Sequence, residues 1–554
     1  MVLAFTFVNA VATEVNVLLS DPGEMASLEA AGFGLGNVGF GRAGATGNDK
    51  LAAVPAYGDL VETLKGDLSG LYAKDRAWGV GMRFTHRGFD LGWLTSRHAR
   101  WELAAVANRV DRRVFAPGTC GEIRLVYRLA YTVPAKGGPF SSRLPAALNA
   151  VFYLPEDGQG CSTWAGMLAR RPDSTWIARP KSVEVDIQTA RWPSTVRPDL
   201  GGHADYVLRV FRHEGDHLGP SPLENTPDAE RIDRDPGLRR ELLAWVRANV
   251  GAVDSGIPLL PEKFLALRAV SVTPRGLERP GNRPWTRLFK ESELAGLALP
   301  PKLLLRRLDG LTCMGCHQSR SLAGFHIVGE ERDAGRRVDA LGTGVSPHVR
   351  EDLPRRRAYL EALVGKRVPS EARPPAERPR ERAGYGEACG LVPDFRAWTC
   401  GEGFACLPVD GTEVGQCQPR NLAAGAPCRP GAVDFRKDAI RSSSERACAG
   451  GGVCEGVDVG FPGGMCATSC EEPGDHGACG AIALLTPFND CLARGGLFSE
   501  CAAFARPAGL RACGPDDPCR PDYLCARTAD GGAACLPPYF VLQMRVDGHP
   551  KRPR

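Results

Sequence analysis

Residues 120–133 read Cys-Gly-Glu-Ile-Arg-Leu-Val-Tyr-Arg-Leu-Ala-Tyr-Thr-Val. Ile123, Leu125, Tyr127, Leu129, Tyr131 and Val133 alternate with smaller or polar residues. A period of two puts the large side chains on one face of an extended chain, so the stretch predicts a half-buried β-strand. The pattern returns at Leu148, Ala150, Phe152 and Leu154, at Val183, Val185 and Ile187, and at Tyr206, Leu208 and Val210. Several such strands with Pro- and Gly-rich turns predict an antiparallel, sandwich-like sheet.

Helices are expected after the strands. Asp235 suits an N-cap and Pro236 the first helical position, and Leu238, Leu242, Trp245 and Val246 then line one face. Further helices are expected at Lys302–Asp309 and at about Val349–Val364. Residues 20–79 are Gly/Ala-rich and weakly patterned, and no element is assigned there. The fold class is α+β.

Cysteine is distributed unevenly. Only Cys120, Cys161, Cys313 and Cys316 precede residue 389, and the other sixteen lie between Cys389 and Cys535. That is about one residue in nine, the density of a disulfide scaffold in an oxidising compartment. The tail reads as four units of four cysteines: 389/400/406/417, 428/448/454/466, 470/479/491/501 and 513/519/525/535. Segments 404–419, 453–466 and 524–538 share an apolar-Cys start, a Gly-rich middle and a closing Cys. Each unit is too small for a sufficient core and is expected to rely on about two bridges. Cys120 with Cys161 makes a further pair. A zinc array is the competing reading, but paired C-x(2–4)-C ligands are scarce and His476 is the only histidine in the tail.

The other informative element is Cys313-Met314-Gly315-Cys316-His317. C-x-x-C-H is the attachment sequence of c-type haem. Two thiols add to the porphyrin vinyl groups, and the adjacent imidazole becomes the proximal iron ligand. The expectation is one covalent haem c on Cys313, Cys316 and His317, with His317 on the iron. No Met occurs between Met314 and Met465, so a His/Met pair is not expected. His326, in the apolar segment 323–328, is the distal candidate, and His348 is read as a surface residue before a helix. For His326 a half-buried structural histidine and a zinc role are the alternatives. For the motif they are a zinc knuckle and a plain disulfide.

A second histidine patch, His203, His213 and His217, contains His213-Glu214-Gly215-Asp216-His217. This matches H-E-x-x-H literally, but that signature needs a helix. A strand precedes it and Gly215 interrupts it, so a charged loop is expected, with Glu214 the general base only in a metallohydrolase. Arg306, Arg307, Arg320, Glu330, Glu331 and Arg332 flank the haem motif as a solvated face or as partners for haem propionates.

Segments 102–113, 120–129, 223–228 and 312–329 (ELAAVANRVDRR, CGEIRLVYRL, LENTPD and TCMGCHQSRSLAGFHIVG) occur in an order that resembles a group of exported bacterial proteins. Those combine an NR-x-D segment, a GE-x-R strand, an NTP segment and a late C-x-G-C-H-x(8)-H element. The resemblance covers about residues 100–350 and implies architecture and export, not an activity. After the motif the group's Glu-Thr pair is replaced by Ser319-Arg320-Ser321, so no role of that pair is carried over. The tail is similar to cysteine-rich modules of myxobacterial surface proteins.

The expected organisation is a truncated signal segment or first strand at 1–12, an α/β region at 20–300, a haem-attachment helical segment at 301–365, a linker at 366–384 and disulfide-rich repeats at 385–540. The signal reading rests on apolar residues 2–8 and Ala10-Val11-Ala12, although no Lys or Arg precedes Arg42. No run approaches the ~18 apolar residues of a transmembrane helix. A net charge of +5 with mixed signs gives no footprint for nucleic acid. The function expected is an exported redox protein of periplasm or cell surface, with an unidentified redox partner or surface ligand. The alternative is a structural or adhesive surface protein.

Overall fold

In a computed structural model the described residues are 15–77, 89–133, 140–169, 180–191, 203–273, 280–315, 344–345, 347–373, 382–383, 388–407, 414–419, 453–455, 465–467, 513–514, 524–527 and 532–536. Residues 1–14 and 316–343 therefore lie outside them, and with them the signal segment, Cys316, His317 and His326.

The four predicted strands lie within one antiparallel sheet of eight: β1 Leu18–Leu19, β2 Ala99–Arg109, β3 Glu122–Val133, β4 Phe140–Tyr153, β5 Ser182–Arg191, β6 His203–Glu214, β7 His217–Ser221 and β8 Ala269–Thr273, of which β3 to β6 are the predicted ones. Strands β1 to β7 pair in sequence order, and β6 divides its outer edge between β7 and β8. The region is an α+β meander. Its alternation sets the register: Leu125 opposes Ala150, Leu148 opposes Val185, and Val185 opposes Arg209.

One face of the sheet carries the main core. Ile123, Leu125, Tyr127, Leu148, Ala150, Val183, Val185 and Ile187 pack there with Leu60, Leu64 and Leu68 of the helix Pro55–Ala77. Smaller helices at Pro22–Leu28 and Leu35–Phe40 add Met25, Leu28, Leu35 and Val38. These elements fill the stretch to which the sequence assigned none. Gly58, Gly66 and Gly70 dilute the apolar stripe of the long helix, yet it aligns at i, i+4 and i+8.

The opposite face is mixed. Ala105, Ala107 and Val126 pack with Val349 of the helix Pro347–Val364. Leu208, Leu223, Ala266 and Ala269 form a second apolar patch, against which Cys313 and Met314 lie. A third core is helical and includes Leu242 and Val246 of Pro236–Ala248 and Leu304, Leu305 and Leu308 of Pro301–Gly310. Asp235 caps the first of these helices as expected, accepting from the amides of Gly237 and Leu238. Among the described residues no helix is long and apolar enough to cross a membrane.

Cys120 and Cys161 are bonded, and in the tail Cys389–Cys406, Cys400–Cys417 and Cys513–Cys525 are bonded. Three tail hairpins repeat one arrangement. Cys406 stands opposite Cys417, Cys454 opposite Cys466, and Cys525 opposite Cys535. The Sγ atoms of Cys389, Cys400 and Cys417 approach within 4.8 Å of one another, but all three are in disulfides and offer no thiolate to zinc. The first unit docks on the main body: Phe395 and Trp398 pack with Leu303, and the Arg306 guanidinium lies 5.1 Å from the Trp398 ring centroid. Within the proline-rich stretch 366–384, Glu371 accepts from Arg113 and Tyr359, and Arg373 is buried.

Candidate functional site

The four motif segments, spread over two hundred residues, meet on the mixed face and the adjoining end of the sheet. Each contributes through a local constraint. In the first, Asn108 accepts from the Val110 amide and donates to the Trp164 carbonyl, so β2 turns sharply and presents Arg109, Asp111 and Arg112 inward. In the second, Gly121 has φ +82°, and a Cβ there would stand 2.7 Å from the Arg109 carbonyl oxygen. Only glycine lets the start of β3 approach that turn. Glu122 then pairs with Arg112, and Arg124 donates to Glu122 at 2.9 Å and to Glu184 at 2.8 Å.

In the third segment Asn225 adopts a left-handed φ of 53°, a conformation Asn tolerates, and its carbonyl accepts from the Leu260 amide. This presents Glu224 to Arg112 at 2.5 Å and Thr226 to the fourth segment. There the helix Pro301–Gly310 ends and residues 313–315 make a single 3-10 turn. The Cys313 amide donates to the Thr226 hydroxyl at 2.9 Å, the Ser271 hydroxyl donates to the Met314 carbonyl at 2.9 Å, and the Gly315 amide donates to the Thr312 hydroxyl at 3.2 Å. A Cβ on Gly315 would lie 2.4 Å from the Asp309 carbonyl oxygen, so the motif's glycine is required by close packing.

Cys313 carries a free thiol. Desolvation pushes it up to about 12, the Thr226 hydrogen bond offsets part of that, and the Glu184, Glu224 and Asp186 carboxylates add to the rise. The group is a neutral thiol at physiological pH and a poor nucleophile. Two of these carboxylates come from the polar side of β5, where Glu184 and Asp186 alternate with the core residues Val183, Val185 and Ile187. Asn149, opposite Glu184 in the register, donates to it at 3.3 Å. Asp186 Oδ1 is buried without a hydrogen-bond partner, and desolvation pushes its carboxyl up to about 8. Sequence reading missed Glu184 and Asp186. The signal was available: two acids interrupt a strand whose other residues are buried.

Of the expected site residues, Cys313 is thus placed on a hydrogen-bonded 3-10 turn. Cys316, His317 and His326 lie outside the described residues, as do Arg320, Glu330, Glu331 and Arg332. Arg306 is engaged with Trp398 and Arg307 with Asp254, so each has a protein partner of its own. His213 and His217 flank the two-residue turn between β6 and β7, with Gly215 at φ +63°. His213 bonds the Gly39 carbonyl at 3.1 Å and His217 bonds Asp59 at 2.9 Å. A hairpin sends these histidines to different neighbours and removes the helical geometry a zinc protease needs; His213, Glu214 and His217 lie in its strands, and only Gly215 and Asp216 form the expected loop.

No family model, no curated protein and no solved structure matches this chain.

Proposed function

We propose that the chain is an exported c-type haem protein with a redox role, holding one haem through thioethers at Cys313 and Cys316, with His317 as proximal ligand. The observation that carries the reading is the free Cys313 thiol, in a chain where Cys120, Cys161, Cys389, Cys400, Cys406, Cys417, Cys513 and Cys525 are all bonded in pairs. Attachment adds a sulfur and its hydrogen across a vinyl double bond, and a cysteine that is not held in a disulfide is open to that addition. The surroundings of Cys313 support the reading. Thr226, Ser271 and Thr312 fix the turn that presents the sulfur, and Gly315 lets the chain pass close beside the helix end.

When bound, haem iron supplies one-electron chemistry. Glu184 and Glu224 put negative charge near the attachment edge, which favours the oxidised form and a low potential. His326 is the proposed distal ligand. Bis-His coordination then suits electron transfer, and an open position suits haem-based oxidation. The disulfide-rich tail supports an oxidising, extracytoplasmic address.

A structural surface protein with a zinc knuckle at the motif is the second reading, and the docking of the first cysteine-rich unit on the main body favours it. A Cys313–Cys316 disulfide draws no support from a free Cys313. An absorption spectrum of protein matured with haem-attachment machinery separates these: a Soret band that survives denaturing extraction supports haem, and colourless protein with bound zinc supports the knuckle.

A further inference from the structure

Behind the candidate site lies a group of buried arginines with too few counter-charges. Asp111 accepts from Arg109 at 2.9 Å and from Arg355 at 2.8 Å. Asp352 accepts from Arg355 and from Arg356, each at 2.6 Å. Arg373, 6% exposed, has only loose approaches to these acids, at 3.8 Å from each. Its Nε and Nη1 atoms are buried with no hydrogen-bond partner among the described residues. Glu371, two residues away, is engaged by Arg113 and Tyr359. Among the described residues, four arginines (109, 355, 356 and 373) thus share two carboxylates.

Arg112 repeats the pattern. It is 2% exposed and is paired through Nε and Nη2 to Glu122 and Glu224, yet its Nη1 is buried without a partner. Arg112 and Arg373 both lie on the ring of Phe115, at 4.8 and 5.8 Å from its centroid. Folded proteins seldom leave buried N–H donors unbonded. Ordered water would satisfy the donors but not the charge, whereas an anion does both.

We propose that Arg373, with Arg112 beside the same aromatic ring, binds a small oxyanion group, a phosphate or a carboxylate. The chemistry is that of guanidinium donors, whose planar array matches either group. The charge state of the cluster agrees: burial, with Arg355 nearby, pushes Arg373 down to about 10, and burial with Arg356 and Arg373 nearby also lowers Arg109. This inference is independent of the haem reading, because no atom of the motif takes part in it.

The test is titration of the full chain with inorganic phosphate, and separately with acetate, at fixed ionic strength. Isothermal calorimetry and the melting temperature are the readouts. Saturable binding of one equivalent of either anion is expected, with a melting temperature that rises as the site fills. Which anion binds tells whether the natural ligand is a phosphate or a carboxylate group. Arg373→Gln should weaken binding at least tenfold, and Arg373→Lys, which keeps the charge, should weaken it less. The wild-type titration stands by itself if the glutamine variant fails to fold. Absence of saturable binding of both anions to the wild type overturns the proposal, and so does unchanged binding in a folded Arg373→Gln protein.

Discussion

The amide of Cys313 donates to the hydroxyl of Thr226 at 2.9 Å, across 87 residues of sequence. Thr226 is fully buried and follows the left-handed Asn225, so a turn in one segment fixes the start of the thiol-bearing turn in another. Thr226→Val keeps the shape and removes the acceptor. It should destabilise the chain by about 1–3 kcal/mol, because a buried amide loses its partner. Thr226→Ser should recover most of that. Urea unfolding of the three proteins, together with the fraction carrying covalent haem, checks both parts.

Thiol reactivity follows from the same turn. Desolvation holds Cys313 up to about 12, so its thiolate is scarce at pH 8. In haem-free Cys316→Ser protein, alkylation of Cys313 at pH 8 should run about a hundredfold or more below that of a free thiol, and should still be rising at pH 10. Rapid labelling at pH 8 would show that the carboxylates and burial do not act on the sulfur.

Asp186 makes stability fall with rising pH. Its carboxyl is pushed up to about 8 by desolvation, so the folded chain holds a proton that the unfolded chain releases near pH 4. The stability is complete below pH 4 and is lost as pH rises through about 8. The residue as a whole is only half-buried, so the loss is expected to be on the order of 2 kcal/mol. Asp186→Asn, which cannot ionise, should flatten the decline between pH 5 and 8 measured by denaturant unfolding.

Much of this fold could be read in the sequence where one face is buried and the other is not. Alternation gave β3, β4, β5 and β6, and Asp235-Pro236 gave the start of a helix. The strand Ala99–Arg109 was not read as one, because nearly all of its residues are buried on both faces and alternation is lost. The helix Pro55–Ala77 was hidden by its glycines. Residues 366–373 read as part of a linker. Their partners are Arg113, Tyr359 and Asp111, set hundreds of residues or a whole helix apart, and only tertiary structure brings them together. In the candidate site the thiol was named from sequence, and the motif segments were named without any reason for their meeting. Gly121, Asn225 and Gly315 now supply that reason in backbone terms.

The disulfides give a further expectation. The first tail unit bonds its first cysteine to its third and its second to its fourth, and Cys513–Cys525 repeats the first-to-third bond. Cys519 should therefore be bonded to Cys535, and peptide mapping without reduction should recover that pair. In the main body the Cys120–Cys161 bond closes a loop of 41 residues. Replacing both by Ala should cost about 4 kcal/mol on the chain-entropy estimate, measured by urea unfolding.

The central claim is covalent haem at the motif, and the most direct measurement is mass spectrometry of the tryptic peptide 308–320 from protein matured with haem-attachment machinery. The expected result is a peptide heavier by one haem, with both Cys313 and Cys316 resistant to alkylation. An unmodified peptide, or one in which the two cysteines are joined only to each other, would contradict it.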